Sequence, residues 1–131
     1  MASIRKEIPL AVPAADVWDA VRDIGALHHR LVKGFVTDTK LDGDARIVTF
    51  ANGMVAREVI VDVDDAARRI VWSARSERLM HHNASAQVFA DGGDRSVLVW
   101  IADVLPNEVA GTVRAMMDEG ARAMKATLER S

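Results

Sequence analysis

The spacing of apolar residues changes period along this chain, and each change marks a new kind of element. Ile4, Ile8, Leu10 and Val12 share one parity, with Lys6 interrupting it, so residues 3–12 read as a strand. Pro13 breaks the strand and favours a helix start. From Ala15 the spacing becomes helical: Val17, Ala20, Val21, Ile24 and Leu27 share one face, with Trp18 at its edge. Gly25 interrupts that helix, residues 26–31 predict a second short helical turn, and Lys33 and Gly34 end it. Period two then returns. Strands are predicted over 35–41, 45–50, 54–63, 68–74, 79–90 and 95–105, joined by turn formers such as Asp42-Gly43-Asp44, Asn52-Gly53 and Asp91-Gly92-Gly93-Asp94. Links this short cannot carry parallel crossovers, so the strands are antiparallel.

After Pro106 the period changes for the last time. Val109, Val113, Met116, Met117, Gly120, Met124 and Leu128 recur at three and four, forming one stripe of a long helix over residues 107–130. Asn107 stands where it can cap that helix. Asp118 precedes Arg122 by four, the favourable order for an exposed pair. Three methionines and a glycine make an unusual closing stripe, because a tight core more usually takes branched aliphatics. Gly120 costs about 1 kcal/mol relative to Ala in a helix interior, so something needs the space beside it. The order β-α-α-β-β-β-β-β-β-α is α+β: a curved seven-stranded antiparallel sheet around a long C-terminal helix, in one domain over residues 1–131. A sheet bent around a helix that presents Met and Gly leaves room for a hydrophobic pocket.

Composition narrows the function classes. With 131 residues, 50% hydrophobic and 27% charged, the chain is a globular domain large enough to bury a real core. A formal net charge of -2 leaves no basic footprint for nucleic acid, and no apolar run reaches the length of a membrane span. The absence of cysteine removes disulfides, thiolate nucleophiles and Cys-based metal centres. The N-terminal MASIRKEIPL lacks the apolar core of a signal peptide, which makes the cytoplasm the expected location. No Ser-His-Asp order or phosphate loop is present; Gly92-Gly93 falls in a hairpin and not at a helix N-terminus. No cofactor is implied, and monomer and homodimer both remain open.

In their order and spacing, VPAADVWDAVRDIGALHH at 12–29, LDGDARIVTFANGMVAREVIVDVDD at 41–65 and SVLVW at 96–100 resemble the START-like, Bet v 1-like superfamily, in its polyketide cyclase/dehydrase (SRPBCC) branch. The resemblance covers essentially the whole chain and implies a helix-grip fold with an internal cavity. The superfamily includes lipid carriers, plant hormone receptors and aromatase/cyclases, so the resemblance implies a cavity more than a function. The middle of the chain also resembles the plant abscisic-acid receptors. Ala51-Asn52-Gly53-Met54 looks like their gate loop, Ser76 to Met80 like their latch loop, and Glu58 matches their pocket-facing glutamate. The gate lacks their proline, the latch lacks their His-Arg-Leu run, and no pocket lysine is evident on an early strand. The architecture carries over; abscisic acid does not.

The facing that the resemblance implies yields a candidate site. Met54, Ala56, Glu58 and Ile60 turn inward, as do Trp72 with Ile70, the even positions from His82 to Val88, and Leu98, Trp100 and Ala102. Arg46, Val48 and Phe50 share a parity whose facing alternation leaves open. The ligand-binding set is therefore Phe50, Met54, Glu58, Trp72, His82, Trp100, Met116, Gly120 and Met124. An inward carboxylate among Trp and Met can serve as general acid or base, with His82 as partner, or can anchor a ligand hydroxyl or ammonium. Against this stands a structural ion pair of Glu58 with Arg46 or Arg57. The pairs His28-His29 and His81-His82 fit no metal motif, because adjacent residues diverge. Trp72 and Trp100 are packing anchors or stacking walls, and Trp18 belongs to the core. Three readings follow: a module binding a small hydrophobic molecule, aromatic or polyketide-like; an aromatase/cyclase or dehydratase using Glu58 and His82; or a protein-interaction module with a filled cavity.

Overall fold

Among residues 2–76 and 80–129, which the computed structural model describes, the chain runs β1 (Ala2–Leu10), α1 (Ala14–Arg22), α2 (Leu27–Arg30), β2 (Val36–Asp42), β3 (Ala45–Phe50), β4 (Val55–Asp64), β5 (Arg69–Arg75), β6 (His81–Ala90), β7 (Ser96–Leu105) and α3 (Ala110–Glu129). The expected start of the sixth strand at Leu79, the latch residues Glu77 and Arg78, and the expected last helical residue Arg130 lie outside the described residues. The strands form one sheet in the order β1-β7-β6-β5-β4-β3-β2, every neighbouring pair antiparallel. β1 and β2 are thus the two edges. The helices between them cross from one edge to the other: α1 packs on β6 and β7, and α2 on β2. Among the described residues no helix is long and apolar enough to cross a membrane.

Local chemistry moved three boundaries. The first helix stops at Arg22 because Ile24 and Ala26 turn their N–H groups back to the carbonyls of Arg22 and Asp23, so Ile24 and Leu27 leave the face expected of them. That helix end is tied to the β4–β5 turn, where Asp65 Oδ1 accepts the Trp18 indole N–H at 2.9 Å and Arg22 Nε at 2.8 Å. Trp18 is buried, as a core residue should be. Asn107 does not cap the last helix with its side chain. Residues Asn107–Val109 form a 3-10 turn entered from Pro106, and Asn107 contributes only its carbonyl, to the Ala110 N–H. The first strand ends at Leu10, where the Ala11 N–H turns to Glu129 Oε2 at 2.8 Å.

Helix α3 is held against β1, and polar contacts explain why. Asp118 pairs with Lys6 at 2.5 Å and not with Arg122, since packing places β1 beside it. This accounts for Lys6 on the inward parity of β1: its ammonium meets the helix. Lys125 Nζ donates to the Pro9 carbonyl at 3.2 Å and to Glu129 at 2.9 Å, fastening the other end. Beneath, Ile4, Leu10, Ile70, Leu98, Val104 and Met117 are fully buried. On the inner face of β4, β5 and β6 the buried positions include Ala56, Ala74, Ala84 and Ala86. Alanine cannot fill a gap between layers about 10 Å apart, so the interior on that side stays open.

Candidate functional site

The open interior is a cavity of about 300 Å³, at the lower end of the range for small-molecule sites, about 300–1,000 Å³. Its walls are apolar. Phe50, Met54, Trp72, Trp100, Met116 and Met124, together with Glu58 and His82, all line it. Gly120 does not. A Cβ at Gly120 would stand 3.0 Å from Cη2 and Cζ3 of Trp100 and 3.2 Å from Cε2 of Phe35. The space that Gly120 leaves is therefore occupied by two rings that themselves line the cavity. Ala74 and Ala86 line it as well, which ties the open volume to the alanine positions.

Strand register places the polar groups in one row across the floor. Arg46 on β3 stands opposite Glu58 on β4, and Glu58 opposite Ala74 on β5. The β5–β6 register reaches Ser73 opposite Asn83, so the next step along the sheet sets Ala74 beside His82. The row reads Arg46, Glu58, Ala74, His82, with the small alanine leaving carboxylate and imidazole facing across it. Arg46 Nε donates to Glu58 Oε1 at 2.7 Å, with only 4% and 7% of the two residues exposed. The guanidinium lies over the Trp72 ring, 5.6 Å from its centroid. Of the two candidate partners for Glu58, Arg46 takes it; Arg57 points outward to Asp42. The facing of Arg46 and Phe50, open from alternation, is inward.

Burial pushes the His82 imidazole below the ordinary histidine range, and the nearby Glu58 charge only partly opposes this. The ring is therefore neutral at pH 7. His82 Nδ1 and Trp100 Nε1 are shut off from solvent without a well-formed hydrogen-bond partner, an arrangement that costs about 1–3 kcal/mol per group. The other histidine pair sits apart: His28 Nδ1 is 3.1 Å from Thr39 Oγ1, and its ring meets that of His29 at 3.9 Å between centroids, tilted by 40°. Among the described residues no three His, Asp or Glu side chains converge as a metal site.

The mouth combines residues from three connections. Phe35 and Phe50 meet edge to face, 5.3 Å between centroids, and the Ala51 N–H bonds to the Phe35 carbonyl. The turn at 51–54 is closed by Asn52 Oδ1 accepting the Met54 N–H at 3.0 Å, with Gly53 supplying the positive φ of 87°. Ser76, Glu108 and Thr112 add polar groups at this end. Glu108 and Thr112 are one helical turn apart beside Met116, a spacing of four that a search restricted to apolar positions passes over. Phe35, Leu31 and Val32 also line the cavity from the stretch around α2. They share no sheet parity, so periodicity gave no signal for them.

A curved antiparallel sheet gripping a long helix over an apolar cavity is the START-like fold. The chain belongs to the polyketide cyclase/dehydrase and lipid transport family, whose model matches residues 1–129. Similar solved structures agree on the fold. A Thermobifida fusca protein solved by solution NMR is 27% identical, with a TM-score of 0.78, over 99% of this chain and 93% of that one. A START superfamily protein from Mycobacterium smegmatis is 13% identical, TM-score 0.80, over 98% and 97%. The aromatase/cyclase Zhui from Streptomyces sp. R1128 is 15% identical, TM-score 0.73, over 98% and 92%. A search of curated proteins gives no match.

Proposed function

We propose that the protein binds a small, mostly apolar molecule, aromatic or polyketide-like in shape, inside the cavity between sheet and helix. The observation that carries this reading is the open volume of about 300 Å³ beneath α3, walled by Trp72, Trp100, Phe50, Met54, Met116 and Met124. Taking an apolar ligand out of water against these walls gives about 25 cal/mol per Å² of apolar surface buried. Glu58 and His82 meet the ligand's polar end, and the turn at 51–54 admits and covers it. The open volume counts against a filled-cavity interaction module. The family's description joins cyclisation and dehydration with lipid transport, and each needs an enclosed apolar site.

The test is titration with the uncharged fluorophore N-phenyl-1-naphthylamine. Saturable enhancement at one equivalent is expected, and its loss in Ala86→Phe, because Ala86 lies between Ile70 and Trp100 on the cavity wall. Absence of enhancement, or enhancement untouched by Ala86→Phe, overturns the assignment to this cavity.

A second reading is proton transfer on the bound molecule. It is favoured by one observation: His82 lines the cavity and is held neutral there by burial, the state a general base requires. Glu58 is already held by Arg46 at 2.7 Å, which leaves the unpartnered His82 Nδ1 as the group to move a proton. His82→Gln then abolishes turnover of a polyketide-like substrate while binding persists; equal turnover in that variant removes the reading.

A further inference from the structure

Among the described residues few charges reach the cavity, and their arrangement specifies the charge of what enters. Of the described lining residues, Arg46 brings the one cation with a permanent charge, and it is taken up by Glu58 at 2.7 Å. Both partners are almost fully buried, with 4% and 10% of their side chains exposed. Among the described residues the remaining formal charge on the lining is Glu108, an exposed carboxylate on the mouth side. His82 adds none, being an uncharged ring.

On the reading that this cavity is a binding site, we propose that it selects uncharged ligands and excludes carboxylates. An acidic ligand has three ways in, all costly. It can leave its charge unpaired among Trp, Met and Ala, which a low-dielectric interior penalises heavily. Or it can draw Arg46 away from Glu58, which leaves the glutamate as the buried unpaired charge and only moves the penalty. The third route is entry as the protonated acid. For a carboxyl group of ordinary pKa near 4 at pH 7, this weakens apparent affinity by roughly 10²–10³-fold, the inverse of the protonated fraction. Glu108 at the entrance adds repulsion of the same sign. An amide, alcohol or ketone of equal shape meets none of these obstacles, and its dipole can be received by the Arg46–Glu58 pair or the His82 ring. The pair therefore acts as a charge filter: it gives the floor polarity without giving it a net charge.

The experiment compares 2-naphthamide with 2-naphthoate, near-isosteric and differing in charge, by displacement of N-phenyl-1-naphthylamine and by calorimetry at pH 7. Naphthamide is expected to bind at least 100-fold more tightly than naphthoate. Glu58→Gln, which leaves the Arg46 cation without a counter-charge, is expected to narrow that ratio at least tenfold, with folding checked by circular dichroism. Equal binding of the two compounds by the wild-type protein overturns the charge filter and leaves the cavity reading standing. An unchanged ratio in a folded Glu58→Gln protein overturns the role of the pair. If neither compound binds and the fluorophore does not either, the cavity reading itself fails and the filter with it.

Discussion

Deleting one partner of the Arg46–Glu58 pair should be far more damaging than deleting both. At 2.7 Å and an effective dielectric constant near 20, the attraction is about 6 kcal/mol. The Trp72 ring 5.6 Å from the guanidinium adds about 0.5–2 kcal/mol. Desolvation costs several kcal/mol for each ion, so the pair as a whole comes out near break-even. Arg46→Met keeps most of the side-chain volume but leaves Glu58 buried without a partner, and the expected loss is about 3–5 kcal/mol. The double variant Arg46→Met/Glu58→Leu should lie within about 1–2 kcal/mol of wild type, because no buried charge remains. Equilibrium urea unfolding at pH 7 measures both, provided the slope m is common to the series. The coupling energy in the cycle should then exceed roughly 2 kcal/mol, well outside the additivity of independent sites. Two results refute the reasoning. If Arg46→Met costs under about 1 kcal/mol, the pair behaves like an exposed one. If the two single losses simply add in the double variant, Arg46 and Glu58 are not coupled.

Two further outcomes follow from the geometry. Gly120→Ala gains about 1 kcal/mol in helix propensity and loses a similar amount to the 3.0 Å approach to Trp100. Stability should change by less than about 1 kcal/mol while fluorophore affinity falls, because Trp100 gives way toward the cavity; unchanged affinity contradicts that displacement. The second concerns pH. His82 is held below its ordinary value by burial, so below about pH 6.5 the unfolded chain binds a proton that the folded one refuses. Stability therefore falls as pH drops from 7 toward 5, by at most about 1.4 kcal/mol per pH unit from this group. His82→Gln should flatten the melting temperature over that window, and an unaltered slope sinks the claim. Asp65, Asp118 and Glu129, each held low by its partners, act only at more acidic pH.

Much of the architecture was legible because period and turn chemistry agree. Alternation with Gly- and Asp-rich turns gave antiparallel neighbours, and the methionine stripe gave the gripping helix. What alternation could not give was the facing of β4, where Arg57, Val59 and Val61 stand on the outward parity against Ala56, Glu58 and Ile60. Each set holds one charged and two apolar residues, so the pattern is symmetric and only the fold resemblance broke the tie. A register shift between Ile60 and Asp62 further blurs it. Interactions between distant segments were the other blind spot. Lys6 looked like an interruption until Asp118 met it, and Arg46 had two possible facings until Glu58 stood opposite. Gly120 showed that space was needed; that Trp100 needs it depends on how β7 meets the helix. The alanines at 56, 74 and 86 were a signal in plain view. Small residues on an inward parity mark the place where a core is left unfilled.

The most direct test of the central claim is native mass spectrometry of gently purified protein beside a denatured control. A discrete added mass, lost on denaturation and belonging to an uncharged, mostly apolar molecule, is the predicted result. Bare protein that also leaves N-phenyl-1-naphthylamine and 2-naphthamide unbound would contradict it.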